Sequence, residues 1–124
     1  MKDIYKTLAI LNIHNFSLAY IPKSSAEFAD AFTMNIFDDS GNHTVVNSVE
    51  GITWEDIVAA DKLRNLRKER NKKLKECDWV TLKAYSRGEV VTSDWATYQQ
   101  ELRDITKTYN SLQELNGNWP TKPE

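Results

Sequence analysis

The longest stretch of this chain without glycine or proline covers residues 52–87. Thr53 can cap a helix at its start, because the threonine hydroxyl can accept a hydrogen bond from an unpaired amide of the first turn. Asp56 stands three residues later, which approaches a capping box. We therefore predict a long helix over about 53–77, well beyond the average helix length. Its apolar edge is narrow, so only that edge can be buried.

A second helical stretch is predicted over about 93–108, with Ser93 as its cap. Its apolar residues recur every three or four positions, which makes it the clearest amphipathic stripe in the chain. The nearest surface that can cover this stripe is the apolar edge of the long helix. We therefore expect an antiparallel helical hairpin. The predicted scaffold core of this hairpin is apolar throughout: Leu63, Leu66, Leu74, Trp79, Trp95, Tyr98, Leu102 and Ile105.

The first fifty residues carry the signals of a small mixed module. Apolar residues at helical spacing predict a helix over 3–11, and an alternating pattern predicts a strand over 16–21. Two β-prone runs flank turn-forming residues 38–42, which predicts a hairpin over about 31–47 with Gly41 at positive φ. A hairpin alone is marginally stable, so it needs a third strand, the N-terminal helix or another chain at its edge.

Together these elements predict an α+β fold, with a small antiparallel sheet and an N-terminal helix followed by the helical hairpin. We expect two parts, a module over 1–50 and a helical module over 51–124 that ends in an extended tail containing Trp119 and Pro120. A tryptophan in such a tail must either fold back on the domain or bury itself in a partner.

Composition argues against several classes of protein. No run of residues is long and apolar enough for a membrane span, so no membrane partner is expected. The single cysteine, Cys77, rules out an internal disulfide and fits a reducing cytoplasm. His14 and His43 fall in different predicted elements, so we predict no metal site and no cofactor. Nucleophile and phosphate-binding motifs are also missing, and we predict no catalytic residues and no enzymatic activity.

Charge is distributed unevenly along the chain. The formal net charge is −2, yet residues 61–76 hold eight basic and three acidic side chains, a local charge of +5. A basic helix over 62–75 can follow the phosphates of a nucleic acid. Its charges, however, are spread around the helix, and no aromatic residue interleaves with them as single-strand binders require. A solvated helix surface is therefore favoured over nucleic-acid binding, and docking to an acidic partner protein is a third interpretation.

Three spaced segments carry a resemblance to a known family. A basic helix ends in Asp78-Trp79, an amphipathic helix follows over 95–106, and the tail contains Trp119-Pro120. In this order they resemble the C-terminal region of the tail assembly chaperone proteins of tailed bacteriophages, including the tail-fibre assembly type. The resemblance covers about residues 62–124. Two departures are Gln99, where the family has arginine, and the proline-free segment 80–89, where the family often has a proline-containing turn.

The resemblance implies a protein that acts by binding and not by catalysis. The implied partner is a phage tail or tail-fibre protein, bound during virion assembly in the cytoplasm of the bacterial host. Two alternatives stay open: a structural tail, baseplate or fibre-associated component that is retained in the virion, and a small nucleic-acid-binding protein that uses the basic helix over 62–75. Association of two copies of the chain is a further option.

A chaperone of this kind needs an exposed apolar surface to cover its client. We expect that surface on the N-terminal hairpin module and on the tail. The predicted partner-binding residues are Phe28, Phe32, Met34, Val45, Val46, Trp119 and Pro120.

Overall fold

A computed structural model describes residues 3–124 of the chain. It confirms the predicted α+β class, with a three-stranded antiparallel sheet in the order β1-β2-β3. The strands are β1 (Phe16–Leu18), β2 (Phe32–Phe37) and β3 (His43–Val46). The helices are α1 (Ile4–Ile10), α2 (Ser25–Ala31), α3 (Trp54–Glu76), α4 (Asp78–Ser86), α5 (Ser93–Arg103), α6 (Ile105–Thr108) and α7 (Leu112–Leu115).

The chain divides into two compact units, with the boundary between Asp61 and Lys62. This boundary falls inside α3, whereas the sequence predicted a division before that helix, at residue 50. The division of the chain into 1–50 and 51–124 stays a prediction. Among the described residues, no helix is both long enough and apolar enough to span a membrane.

Aromatic side chains dominate the core of the N-terminal unit. Phe32, the first residue of β2, is fully buried, and its ring centroid lies 4.7 Å from that of Phe28 on α2. Phe28 in turn lies 5.5 Å from Trp54, the first residue of α3. Stacked and tilted rings at these separations add to the stabilisation from burial. The buried cluster consists of Ile4, Leu8, Ile13, Phe28, Phe32 and Ile57.

The predicted hairpin is confirmed, and the side chain of Asp38 organises its turn. One carboxylate oxygen, Oδ1, accepts hydrogen bonds from the amides of Ser40 and Asn42, both at 2.9 Å. Gly41 adopts φ +84°, as predicted for the turn. Strand β1 supplies the required third strand, although it is shorter than the predicted 16–21. It pairs with only the first part of β2, from Phe32 to Met34.

Helix α3 begins as the sequence predicts. The amide of Asp56 donates to Thr53 Oγ1 at 3.2 Å, and the amide of Thr53 donates to Asp56 Oδ2 at 2.9 Å, so the capping box is reciprocal. Within the N-terminal unit, Thr7 Oγ1 on α1 donates to Asp61 Oδ1 on α3 at 2.9 Å. Both side chains are buried, and this bond satisfies polar groups that would otherwise be costly in a core.

The C-terminal unit contains the predicted antiparallel helical hairpin. Leu66, midway along α3, packs against Ile105, and Cys77, directly after the last residue of α3, packs against Tyr98 and Leu102. Later residues of α3 therefore meet earlier residues of the second stretch, which is the antiparallel order.

Two details of the second helical stretch differ from the prediction. The N-cap is Thr92, without a side-chain hydrogen bond, so the prediction of Ser93 as the cap is wrong. The stretch also breaks at Asp104 into α5 and α6. The carboxylate of Asp104 is bound by the Lys107 amine at 3.1 Å and by the Gln100 amide nitrogen at 3.0 Å, which hold its pKa below the usual value.

We expect the α3–α5 packing to dominate the stability of the C-terminal unit. Leu102 is fully buried, and Leu102→Ala should lower the free energy of unfolding by about 2–5 kcal/mol, because it removes apolar contacts and leaves a cavity. Leu82 is 66% exposed, and the matched change Leu82→Ala should alter that free energy by less than about 0.5 kcal/mol. Urea denaturation of both variants measures the difference, and equal losses would contradict the assignment of the core.

Candidate protein-binding surfaces

A bend at Cys77 separates α3 from α4 and sets the direction of α4. Cys77 keeps a right-handed helical backbone, with φ −96° and ψ −4°. Its amide donates to the Leu74 carbonyl at 3.0 Å, and the Val80 amide donates to the Cys77 carbonyl at 3.1 Å. These bonds span three residues and not four, so the helix tightens here without ending.

The inner side of α4 rests on α5. Val80 and Ala84 are buried. The indole rings of Trp79 and Trp95 meet edge to face, with centroids 5.7 Å apart and an interplanar angle of 75°. Gln99 is also buried, and its amide nitrogen lies 3.4 Å from Thr81 Oγ1. This side of α4 is therefore held in place by apolar and polar contacts.

A glycine ends α4 and returns the chain along it. The amide of Glu89 donates to the Ala84 carbonyl at 2.8 Å, and the amide of Gly88 donates to the Tyr85 carbonyl at 3.1 Å. With Gly88 at φ +64°, this is a Schellman motif. The returning segment and α4 enclose a shallow groove, which is lined by Trp79, Val80, Lys83, Ala84, Arg87, Glu89, Val90, Val91, Thr92 and Trp95.

The outer side of α4 is also apolar, and the described chain leaves most of it uncovered. Trp79 is 53% exposed, Leu82 66% and Tyr85 85%, and Val90 beside the groove is almost fully exposed. A helix that is apolar on both sides is ordinarily buried on both sides. An exposed apolar patch of this kind is typical of a surface that binds another protein.

A second apolar surface lies at the far end of the β2–β3 hairpin. Phe37 and Val45 share one face of the hairpin because they occupy alternate positions of the same register, and both are exposed. Ile36 lies on the opposite face and is also exposed, since the strands extend beyond the core that buries Phe32. Two predicted partner-binding residues, Met34 and Val46, face each other across the strands and are half-buried.

Burial corrects three of the sequence-based assignments. Phe28 and Phe32 lie in the core of the N-terminal unit, so they stabilise that unit and are inaccessible to a partner. Trp79 was assigned to the scaffold core, yet about half of it is exposed. Periodicity shows which residues are apolar, but it does not show which of them the rest of the chain buries. It therefore could not distinguish these cases.

The other predicted scaffold residues lie where the two helical stretches pack together. Leu66, Tyr98, Leu102 and Ile105 are buried. Leu63, Leu74 and Trp95 are half-buried against them.

The tail folds back on the C-terminal unit. Trp119 packs against both of its buried clusters, the one around Leu66 and the one around Leu102. The amine of Lys73 lies 4.9 Å from the centroid of the Trp119 ring, a distance at which a cation is attracted to the ring face. Trp119 and Pro120 are half-buried, so the tail tryptophan has cover within its own chain.

The single cysteine belongs to the core. Cys77 is 1% exposed, and its Sγ lies 3.2 Å from the Lys73 carbonyl. Burial raises the pKa of the thiol, the charge of Lys122 opposes this rise, and the charges of Glu76 and Asp78 add to it. Burial likewise raises the pKa of Tyr98. A thiol held protonated is a poor nucleophile.

The basic helix surface is mostly solvated. Lys68, Lys72 and Lys75 are exposed, and no carboxylate of residues 3–124 forms an ion pair with them. Arg70, by contrast, contacts the Arg103 carbonyl and the Asn71 side chain. Within the same residues, no three His, Cys, Asp or Glu side chains gather as metal ligands.

Sequence reasoning did not single out the outer side of α4, although a signal for it was present. The stretch without glycine or proline continues to residue 87, well past the predicted helix end at 77. Exposed residues continue at helical spacing across the bend, from Lys75 to Trp79 and Leu82. Extending the helix to Ser86 would have placed these two apolar residues opposite Val80 and Ala84.

Comparison with known proteins links the C-terminal unit to one family. A family model described as phage tail assembly chaperone protein matches residues 63–124, half of the chain. This is the part in which the resemblance was found from the sequence. Comparisons with curated proteins and with solved structures gave no match.

The burial of Cys77 predicts slow thiol chemistry. The folded chain should react much more slowly with a neutral disulfide reagent at pH 8 than the urea-unfolded chain does, because the thiol is covered and its pKa is raised. An exposed thiol, from Ser86→Cys in a Cys77→Ala background, provides the fast reference. Equal rates for folded Cys77 and this reference would contradict the burial.

The raised pKa of the Cys77 thiol predicts how the free energy of unfolding depends on pH. The folded thiol keeps its proton above its ordinary pKa of 9.0, while the unfolded thiol loses it. The stabilisation that the protonated Cys77 thiol contributes is therefore fully present below about pH 9, and it is lost as the pH rises through the pKa of the folded thiol. Urea denaturation at pH 8 and pH 10 should show a fall in the free energy of unfolding, and Cys77→Ala should show a smaller fall. Tyr98 contributes in the same direction in both proteins.

The position of Trp119 predicts a structural role for the tail. Trp119→Ala should lower the free energy of unfolding by about 2 kcal/mol, because it uncovers two buried clusters. Deletion of residues 121–124, which are largely exposed, serves as the control and should have a much smaller effect. If Trp119→Ala left the free energy of unfolding unchanged, the tail would again be a candidate for a binding element that the core does not use.

Proposed function

We propose that this chain binds a phage tail or tail-fibre protein while the virion assembles, because it belongs to the phage tail assembly chaperone protein family. The proposed place of action is the cytoplasm of the infected bacterial host. The chain acts there by covering an apolar surface of its client until that surface binds a neighbouring protein of the tail.

The observation that carries this proposal is the uncovered outer side of α4, within the part of the chain that matches the family model. Burying large apolar side chains stabilises a complex, since each fully covered one contributes about 1.5–3 kcal/mol. Two of the large apolar side chains on α4, Leu82 and Tyr85, are 66% and 85% exposed, so most of their surface is available to a client.

Binding of this kind requires no reacting group. The obvious nucleophile, Cys77, is buried in the core with its pKa raised, and its surroundings suit packing. We therefore propose a non-enzymatic role. The hairpin surface around Phe37 and Val45 is a second place at which a client or another copy of the chain could pair.

Co-expression tests the proposal directly. The full chain is co-expressed in turn with each tail and tail-fibre protein of the same phage, and the soluble yield and co-purification of each are measured. At least one of these proteins should become more soluble and should co-purify with the chain. If all of them fold, stay soluble and assemble without it, the proposal is wrong.

Mass spectrometry of purified virions separates a chaperone from a tail component. A chaperone that leaves after assembly should be absent from the particles. Presence at a fixed copy number would instead establish a structural part of the virion. Nucleic-acid binding is checked separately by salt titration, since binding through phosphates weakens steeply with salt.

A further inference from the structure

We infer that one exposed face of the α3–α4 helix is a docking site for an acidic amphipathic helix of the client. This inference rests on the proposed function and names the surface and the chemistry of its partner. The face is the outer stripe, which we define as Lys68, Lys72, Lys75, Trp79 and Leu82.

The outer stripe is continuous along the helix. Its members follow one another at intervals of four, three, four and three residues, which keeps them on one side of a helix. The helical backbone of Cys77 carries this periodicity through the bend. All five side chains are exposed, whereas Leu66, Cys77 and Val80 on the other side are buried.

The two ends of the outer stripe differ in chemistry. The first end carries three lysines without intramolecular ion pairs to the described residues. The second end carries Trp79 and Leu82, with Tyr85 one turn further on and the groove beside Trp79. A complementary partner therefore presents carboxylates to the first end and apolar side chains to the second. At about 1.5 Å per residue, the stripe is about 21 Å long, which suits a partner helix of about four turns.

The shape of the surface favours a helix as the occupant. A row of side chains at helical spacing receives the apolar face of an amphipathic helix, which contacts it at every third or fourth residue. The backbone of α3 and α4 is already bonded within the helix, so it offers no open edge for an added strand.

A second copy of this chain fits the outer stripe poorly. If two copies packed side by side in the same direction, each lysine would face a lysine. If they packed in opposite directions, the lysines would face Trp79 and Leu82. Neither arrangement places carboxylates opposite the three lysines, so a symmetric pair of outer stripes lacks the charge complementarity that an acidic helix of the client provides.

Binding variants test the outer stripe in the full-length chain. The probe is any tail or tail-fibre protein of the same phage that co-purifies with it. Leu82→Ala combined with Tyr85→Ala should weaken binding by about tenfold or more, because the pair forms the exposed apolar anchor. Lys72→Glu combined with Lys75→Glu should also weaken it, and more strongly at low salt.

Matched controls separate the outer stripe from other surfaces. Ile10→Ala changes an exposed apolar residue of α1, and Lys6→Glu combined with Lys23→Glu makes the same charge change in the N-terminal unit. Both should leave affinity unchanged. Val45→Ala tests the hairpin, and loss of binding there with unchanged binding in the stripe variants would overturn the inference while the proposed function stands. If the wild-type chain binds none of the tail proteins, both fail.

Photo-crosslinking identifies the occupant. A benzophenone amino acid in place of Leu82 should crosslink to the client, within a segment that has apolar residues at helical spacing and acidic residues two to three turns away. Crosslinks to a second copy of the chain, to nucleic acid, or to a client segment without acidic residues would each overturn the inference.

Discussion

The packing of α5 against α3 is the interaction on which the C-terminal unit depends. Leu102 is fully buried in one cluster and Leu66 in the other, and Trp119 from the tail packs against both. With this arrangement in place, α4 can rest only its inner side on α5. The apolar residues on the other side of this nine-residue helix are then left uncovered. The exposed surface is thus a consequence of how the core is built.

The N-terminal unit produces its exposed surface by a related route. Its sheet is longer than its core, so β2 begins buried at Phe32 and ends exposed at Phe37. The exposed apolar residues of α4 lie on the side turned away from α5, and those of the hairpin lie where its strands continue past the core. Surfaces of this kind suit a protein that works by covering another, and the family to which the chain belongs is one of assembly chaperones.

Local sequence signals predicted much of the fold. The capping box of Thr53 and Asp56 and the hairpin turn with Gly41 form as expected, because each depends on residues within a few positions of one another. The antiparallel packing of α3 and α5 was also predictable, since their apolar edges must be covered. The errors concern residues whose surroundings come from distant parts of the chain. Phe28 and Phe32 were expected on a surface and lie in a core that α1, α2, β2 and α3 build together.

The tryptophans show most clearly what the sequence determined and what it left open. From sequence alone, Trp79 at the end of a long helix was the better candidate for the core, and Trp119 in a proline-containing tail the better candidate for a free binding residue. The structure exposes half of Trp79 and uses Trp119 to cover the two clusters. The sequence determined the elements, their order and the side chains that avoid water. Only the tertiary structure decided which of those side chains are buried, because burial depends on the neighbours that the whole fold brings together.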